Sequence, residues 1–82
     1  MPAIGENISV IAAFGSFPKL RPLRFKWSNR RIDIKAVTYE WSTMQGNSRL
    51  LHFSVTDGNT LYELSFDTGS ISWRIEGVET ET

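Results

Sequence analysis

Apolar and polar residues alternate along almost the whole chain, and no stretch sustains a helical period. Ile8, Val10, Ala12 and Phe14 predict a first strand. Leu23, Phe25 and Trp27, separated by Arg24 and Lys26, predict a second. Ile32 and Ile34 open a third, whose parity changes near Lys35-Ala36 before Val37, Tyr39 and Trp41 carry it on. One extra residue at such a place is the mark of a β-bulge. Leu51, Phe53 and Val55 predict a fourth strand, Tyr62, Leu64 and Phe66 a fifth, and Ile71, Trp73 and Ile75 a sixth. The connections Ser28-Asn29, Gln45-Gly46-Asn47, Asp57-Gly58-Asn59 and Thr68-Gly69 carry turn residues. The fold predicted is all-β: a six-stranded antiparallel meander forming a small, partly open SH3-like barrel. It occupies residues 1–82 as a single domain, with an ordered core over 8–76 and a short acidic tail at 77–82.

The turns set a register. A Ser28-Asn29 turn pairs Phe25 with Ile32 and Leu23 with Ile34. A two-residue Asp57-Gly58 turn pairs Val55 with Thr60, Phe53 with Tyr62 and Leu51 with Leu64, and a four-residue loop over 57–60 would keep the same parity. A two-residue Thr68-Gly69 turn pairs Phe66 with Ile71 and Leu64 with Trp73. With Trp41 set opposite Leu51, the inner row reads Trp41, Leu51, Leu64, Trp73, with Tyr39, Phe53, Tyr62 and Ile75 beside it. The outer row reads Glu40, His52, Glu63, Arg74. A slip of one residue would place apolar side chains on the polar face, so parity is tightly constrained.

At 82 residues the core is thin, and three Trp, two Tyr and five Phe supply its bulk. The absence of cysteine excludes disulfides and thiolate metal sites and leads us to expect a cytoplasmic setting. No segment approaches the roughly 20 apolar residues of a membrane-spanning helix, so no membrane partner is expected. Charge sums to zero but is unevenly placed. Lys19, Arg21, Arg24, Lys26, Arg30, Arg31 and Lys35 face only Asp33 within their window, a net of +6. Arg49 and Arg74 face eight acids elsewhere, a net of −6. Such asymmetry points to a charged partner or to weak homo-oligomerisation.

Four features invite a chemical reading. Phe66-Asp67-Thr68-Gly69-Ser70 matches the signature around an aspartic protease carboxylate, where two such groups share a proton. The 13 residues after Gly69 hold neither a flap nor the further strands of a cleft, so a hairpin turn with Asp67 bonding locally is expected instead. His52 between Glu40 and Glu63 resembles a base or metal site, yet an open sheet face lacks enclosure, and a solvated charge ladder is the simpler expectation. The aromatic residues suggest a stacking platform, but their inward parity assigns them to the core, with Trp27 at a turn as the exception. Arg24, Lys26, Arg31 and Lys35 lie on the outer face of the second and third strands, with Arg30 at the turn. Together they form a candidate phosphate-binding set.

Pro22-Leu23-Arg24-Phe25-Lys26-Trp27, Ile34, Val37, Trp41, Phe53-Ser54-Val55, Tyr62-Glu63-Leu64 and Trp73 resemble a family of small bacterial β-domains to which no function is assigned. The likeness covers residues 8–76 and rests on core positions. It implies a shared fold rather than a shared chemistry. Some members accompany translesion-polymerase-like proteins, which would imply work on DNA. The family pattern has Gly in the turn where this chain has Ser28-Asn29. The expected function is that of a non-enzymatic interaction module binding a protein partner, with no catalytic residue, cofactor or metal. The alternative is a nucleic-acid-binding domain that contacts phosphates through the 19–35 hairpin.

Overall fold

In the computed structural model, which describes residues 3–15 and 20–80, seven strands form one antiparallel sheet that does not close. They are β1 (Ala3–Phe14), β2 (Leu20–Trp27), β3 (Arg30–Asp33), β4 (Ala36–Gln45), β5 (Ser48–Thr56), β6 (Thr60–Asp67) and β7 (Ser72–Thr80). Their spatial order is β3-β2-β1-β7-β6-β5-β4. No helix of the described residues is long and apolar enough to cross a membrane.

The expected third strand is two strands. Its first part, β3, pairs with β2; its continuation, β4, pairs with β5 at the far end of the sheet. Only Ile34 and Lys35 separate them. Ile34 N–H donates to Leu23 O at 3.0 Å, and Lys35 N–H donates to Thr56 O at 2.8 Å. Adjacent residues therefore bond to opposite margins of the sheet, which must curl until its ends meet at this corner. A strand that turns a corner between two sheet directions is how orthogonal β-packings are made. The stretch from 77, expected as a tail, is strand as far as Thr80, which pairs with Thr60. Residues 81 and 82 lie outside the described ones.

The core fills the inside of the curl. Phe25, Ile32, Phe53, Val55, Tyr62, Leu64, Phe66 and Ile75 are buried, with Trp73, Val37, Ile8 and Val10 packed against them. Phe25 meets Tyr62 edge-on with ring centres 5.1 Å apart, and Trp27 meets the same ring at 6.4 Å. Trp27 is half-buried at the end of the curl, as its place beside the turn suggests. The Ser28-Asn29 hairpin pairs Phe25 with Ile32, the register expected from the sequence. Both turn residues have positive φ, 54° and 61°, the requirement of a type I′ turn.

Four displacements separate the observed register from the expected one. A bulge in the β1–β2 pairing makes Leu23 the extra residue: Ile11 faces Arg24 and Ala12 faces Pro22. Leu23 is consequently exposed, and Pro22 and Leu20 take the inward places. A second bulge, at Thr38, sets Val37 opposite Val55 but Tyr39 opposite Ser54. Thr38 Oγ1 donates to Ser54 O at 3.0 Å and fastens the extra residue. Between β6 and β7 the loop is Thr68–Ile71, four residues rather than two, so Phe66 faces Trp73 and Leu64 faces Ile75. Asp67 explains the longer loop. Its Oδ1 accepts from Gly69 N–H at 2.8 Å and Ser70 N–H at 3.3 Å, and its backbone O accepts from Ile71 N–H at 2.8 Å. Likewise a four-residue loop, not a two-residue turn, follows β5, so Val55 faces Tyr62 and Phe53 faces Leu64; Asp57 Oδ1 builds it by accepting from Asn59 and Thr60 N–H, both at 2.9 Å.

Candidate binding surfaces at the open margins

The two bulges reshape the surface as well as the register. After Thr38 the inward parity of β4 passes to Glu40 and Ser42, and Tyr39 and Trp41 turn outward. The inner row expected through Trp41 and the outer row expected through Glu40 are both overturned. The outer row is Trp41, His52, Ser65, Arg74 and Asn7. Outward aromatics are therefore present: Tyr39 is 66% exposed, with its ring 5.4 Å from Trp41. Nothing in the sequence marks the bulge, because Val37, Tyr39 and Trp41 alternate without a break across it.

His52 lies under Trp41, the rings stacked at 4.9 Å and 5° from parallel. Its Nε2 is 2.8 Å from Thr43 Oγ1, and its Nδ1 is 3.8 Å from Glu63 Oε2. The second distance exceeds a hydrogen bond, and Nδ1 is buried without a partner. Hydroxyl, imidazole and carboxylate follow the order of nucleophile, base and orienting acid. Thr43, however, is exposed on an open sheet face, which gives a reacting group little enclosure. Among the described residues, no group of three His, Asp or Glu side chains is placed to hold a metal ion.

Beside this row is a shallow polar basin of about 460 Å³, lined by Asn7, Gln45, Asp67, Arg74 and Glu76 among others. Ser65 is buried at its floor and donates to Glu76 Oε2 at 2.6 Å. Arg74 Nε lies 3.4 Å from the same oxygen. The guanidinium lies over Gly5, whose φ of 70° is the left-handed conformation that favours glycine. These contacts tie the basin's charges to one another. The Gly69 and Ser70 N–H groups likewise hold the Asp67 carboxyl below the usual carboxylate range.

The five basic residues singled out from the sequence do not form one patch. Arg24, Lys26 and Arg31 share the outer face of β2 and β3, opposite Phe25 and Ile32. Asp33 takes part of their charge, 3.7 Å from Arg24 Nε and 4.0 Å from Arg31 Nε. Lys26 faces Arg31 directly, a like-charge pair that costs stability unless an anion sits between them. Arg30 faces Trp27 at the end of the hairpin. Lys35 is at the corner, with its ammonium over Gly58.

The remaining feature is the seam where the sheet fails to close. β2 pairs with β3 only from Arg24 to Trp27. Past the Ile34–Leu23 bond, β4 diverges from β2. A cleft of about 470 Å³ opens between them, lined by Leu20 and Arg21 on one wall and Val37, Thr38, Tyr39 and Glu40 on the other. Among the described residues, neither wall pairs with a strand across this gap. A strand edge without a neighbour presents unpaired N–H and C=O groups, a template for another chain. No family model, curated protein or solved structure matches the chain.

Proposed function

We propose that this domain is a non-enzymatic interaction module that takes an extended segment of a partner protein into the seam between β2 and β4. The observation that carries this reading is the pair of unpaired edges facing each other across one cleft. A guest strand there would bond to both walls at once, and its alternate side chains would point inward against Leu20 and Val37. Main-chain bonds supply affinity in such strand addition, and side-chain pockets supply selectivity. An SH3-like, partly open barrel suits this role, because a curled meander that stops short of closure keeps one such seam.

Glu40→Pro tests the reading. It removes an N–H on the seam side of β4 and leaves the β4–β5 ladder intact. A partner captured by the parent domain should be lost by this variant, and its binding should slow hydrogen exchange at 37–40. Capture that survives Glu40→Pro but fails when Arg24, Lys26 and Arg31 are neutralised would overturn it. The second reading, phosphate contact through the basic hairpin, is favoured by the direct Lys26–Arg31 pairing, which Asp33 only partly offsets. It requires duplex DNA binding that weakens steeply with salt, by roughly one unit of slope for each phosphate contact.

A further inference from the structure

We propose that two copies of this chain pair through the distal part of β4, antiparallel about a two-fold axis at Ser42. This goes beyond the seam, which ends at Glu40. Among the described residues, none pairs with residues 41–45 of β4 on the side away from β5.

The backbone directions follow from the hairpin. Gly46, at φ 61°, and Asn47 form a two-residue loop, so Gln45 and Ser48 close it by exchanging both bonds. Thr68 N–H donates to Arg49 O, which confirms that Arg49 and its alternates bond toward β6. Ser48, Leu50 and His52 therefore bond toward β4, and their partners Gln45, Thr43 and Trp41 use up their own groups. Among the described residues, the N–H and C=O groups of Glu40, Ser42 and Met44 face no neighbouring strand.

The devices that normally protect such an edge stop at the Thr38 bulge and Glu40: residues 41–45 hold no proline, no charge and no bulge. Tyr39 and Met44 are each more than 60% exposed. A two-fold at Ser42 sets Glu40 against the partner's Met44 and Trp41 against the partner's Thr43. An aromatic ring across from a β-branched residue is a favourable cross-strand pair. Met44 is flanked by Arg49 on the same face, so Glu40 reaches toward the partner's Arg49, and the contact occurs twice by symmetry. Among the described residues, neither Glu40 nor Arg49 has an ion-pair partner within its own chain.

Other registers are poorer. An axis at Glu40 sets the two carboxylates against each other. An axis at Trp41 drives the partner's Thr43 and Met44 into the seam against Leu20. An axis nearer the hairpin tip shortens the ladder and separates Glu40 from Arg49.

Sedimentation velocity on the whole chain should show a dimer that grows between about 10 and 300 μM, the range of an interface below standard size. Ser42→Pro should abolish it while near-ultraviolet circular dichroism stays unchanged. Glu40→Arg should weaken it about tenfold, and adding Arg49→Glu should restore it to within about threefold, since the two charges act as a pair. A monomer throughout the range overturns the proposal. So does a folded Ser42→Pro variant that still dimerises, or a double variant no stronger than the single. Ser42 and Arg49 lie outside the seam, so loss of the dimer leaves the strand-addition reading standing, and failure of that reading leaves the dimer standing.

Discussion

β3 and β4 are both edge strands, yet β3 has four residues and β4 has ten. Three of the four in β3 are charged, and the other, Ile32, is 4% exposed and packs in the core. β4 carries a single charge and leaves Tyr39 and Met44 in solvent. The short edge is anchored inward and guarded by its charges. The long edge is weakly anchored and, past its Thr38 bulge and Glu40, unguarded. Edges of the first kind resist unwanted pairing, and edges of the second kind invite it. The difference locates the capacity for association at β4 and the structural role at β3.

Truncation should separate the two edges most clearly. Ile32→Ala should lower stability by about 2–4 kcal/mol, as removal of a buried branched side chain does. Trp41→Ala, on the outer face of the other edge, should cost about 1 kcal/mol or less, mainly in lost ring stacking. Denaturant melts of both variants would measure the contrast, and equal costs would end it.

The corner that joins the edges offers a smaller, pH-dependent effect. Asp57 sits beside it, and the Asn59 N–H, with Thr60 N–H and Tyr62 O–H, holds its carboxyl below the usual carboxylate range. A depressed folded value means that its stabilisation is fully present above the unfolded pKa of about 4 and fades as pH falls through the folded one. Melting temperature should therefore drop more steeply with acid in the parent than in Asp57→Asn. Parallel profiles would show that Asp57 does not hold its loop. Smallest of all, Ser28→Gly should raise stability by about 0.5–1 kcal/mol by relieving a left-handed conformation costly for residues with a Cβ. A loss there would mean that the Ser28 side chain helps to hold the guarded edge.

β5 and β6 were legible in the sequence, since Phe53, Val55, Tyr62, Leu64 and Phe66 alternate strictly and all point inward. The β2–β3 pairing was legible for the same reason, with a turn of fixed length to set it. The surface of β4 was not. A bulge inserts one residue without changing composition, and Tyr39 and Trp41 suit a buried face as well as an exposed one. Leu23 was concealed in the same way, and the β6–β7 register was hidden because Thr68-Gly69 reads equally as a short turn or as half of a longer one. The basic residues were visible one by one. Their dispersal was not, because it depends on the corner at Ile34–Lys35.

The pairing of β1 with β7 bears on how the chain reaches this state. Within this sheet the strand earliest in sequence lies beside the latest, and together they form its middle. During synthesis, β1–β3 and β4–β6 can each fold back on themselves as hairpins, but their halves stay apart until β7 emerges to join them. Contacts between segments so far apart in sequence are the slowest to form, since a long loop must close first. Until then both halves expose extra margins, and the unguarded strand of the second half is available to neighbours before its own fold is complete.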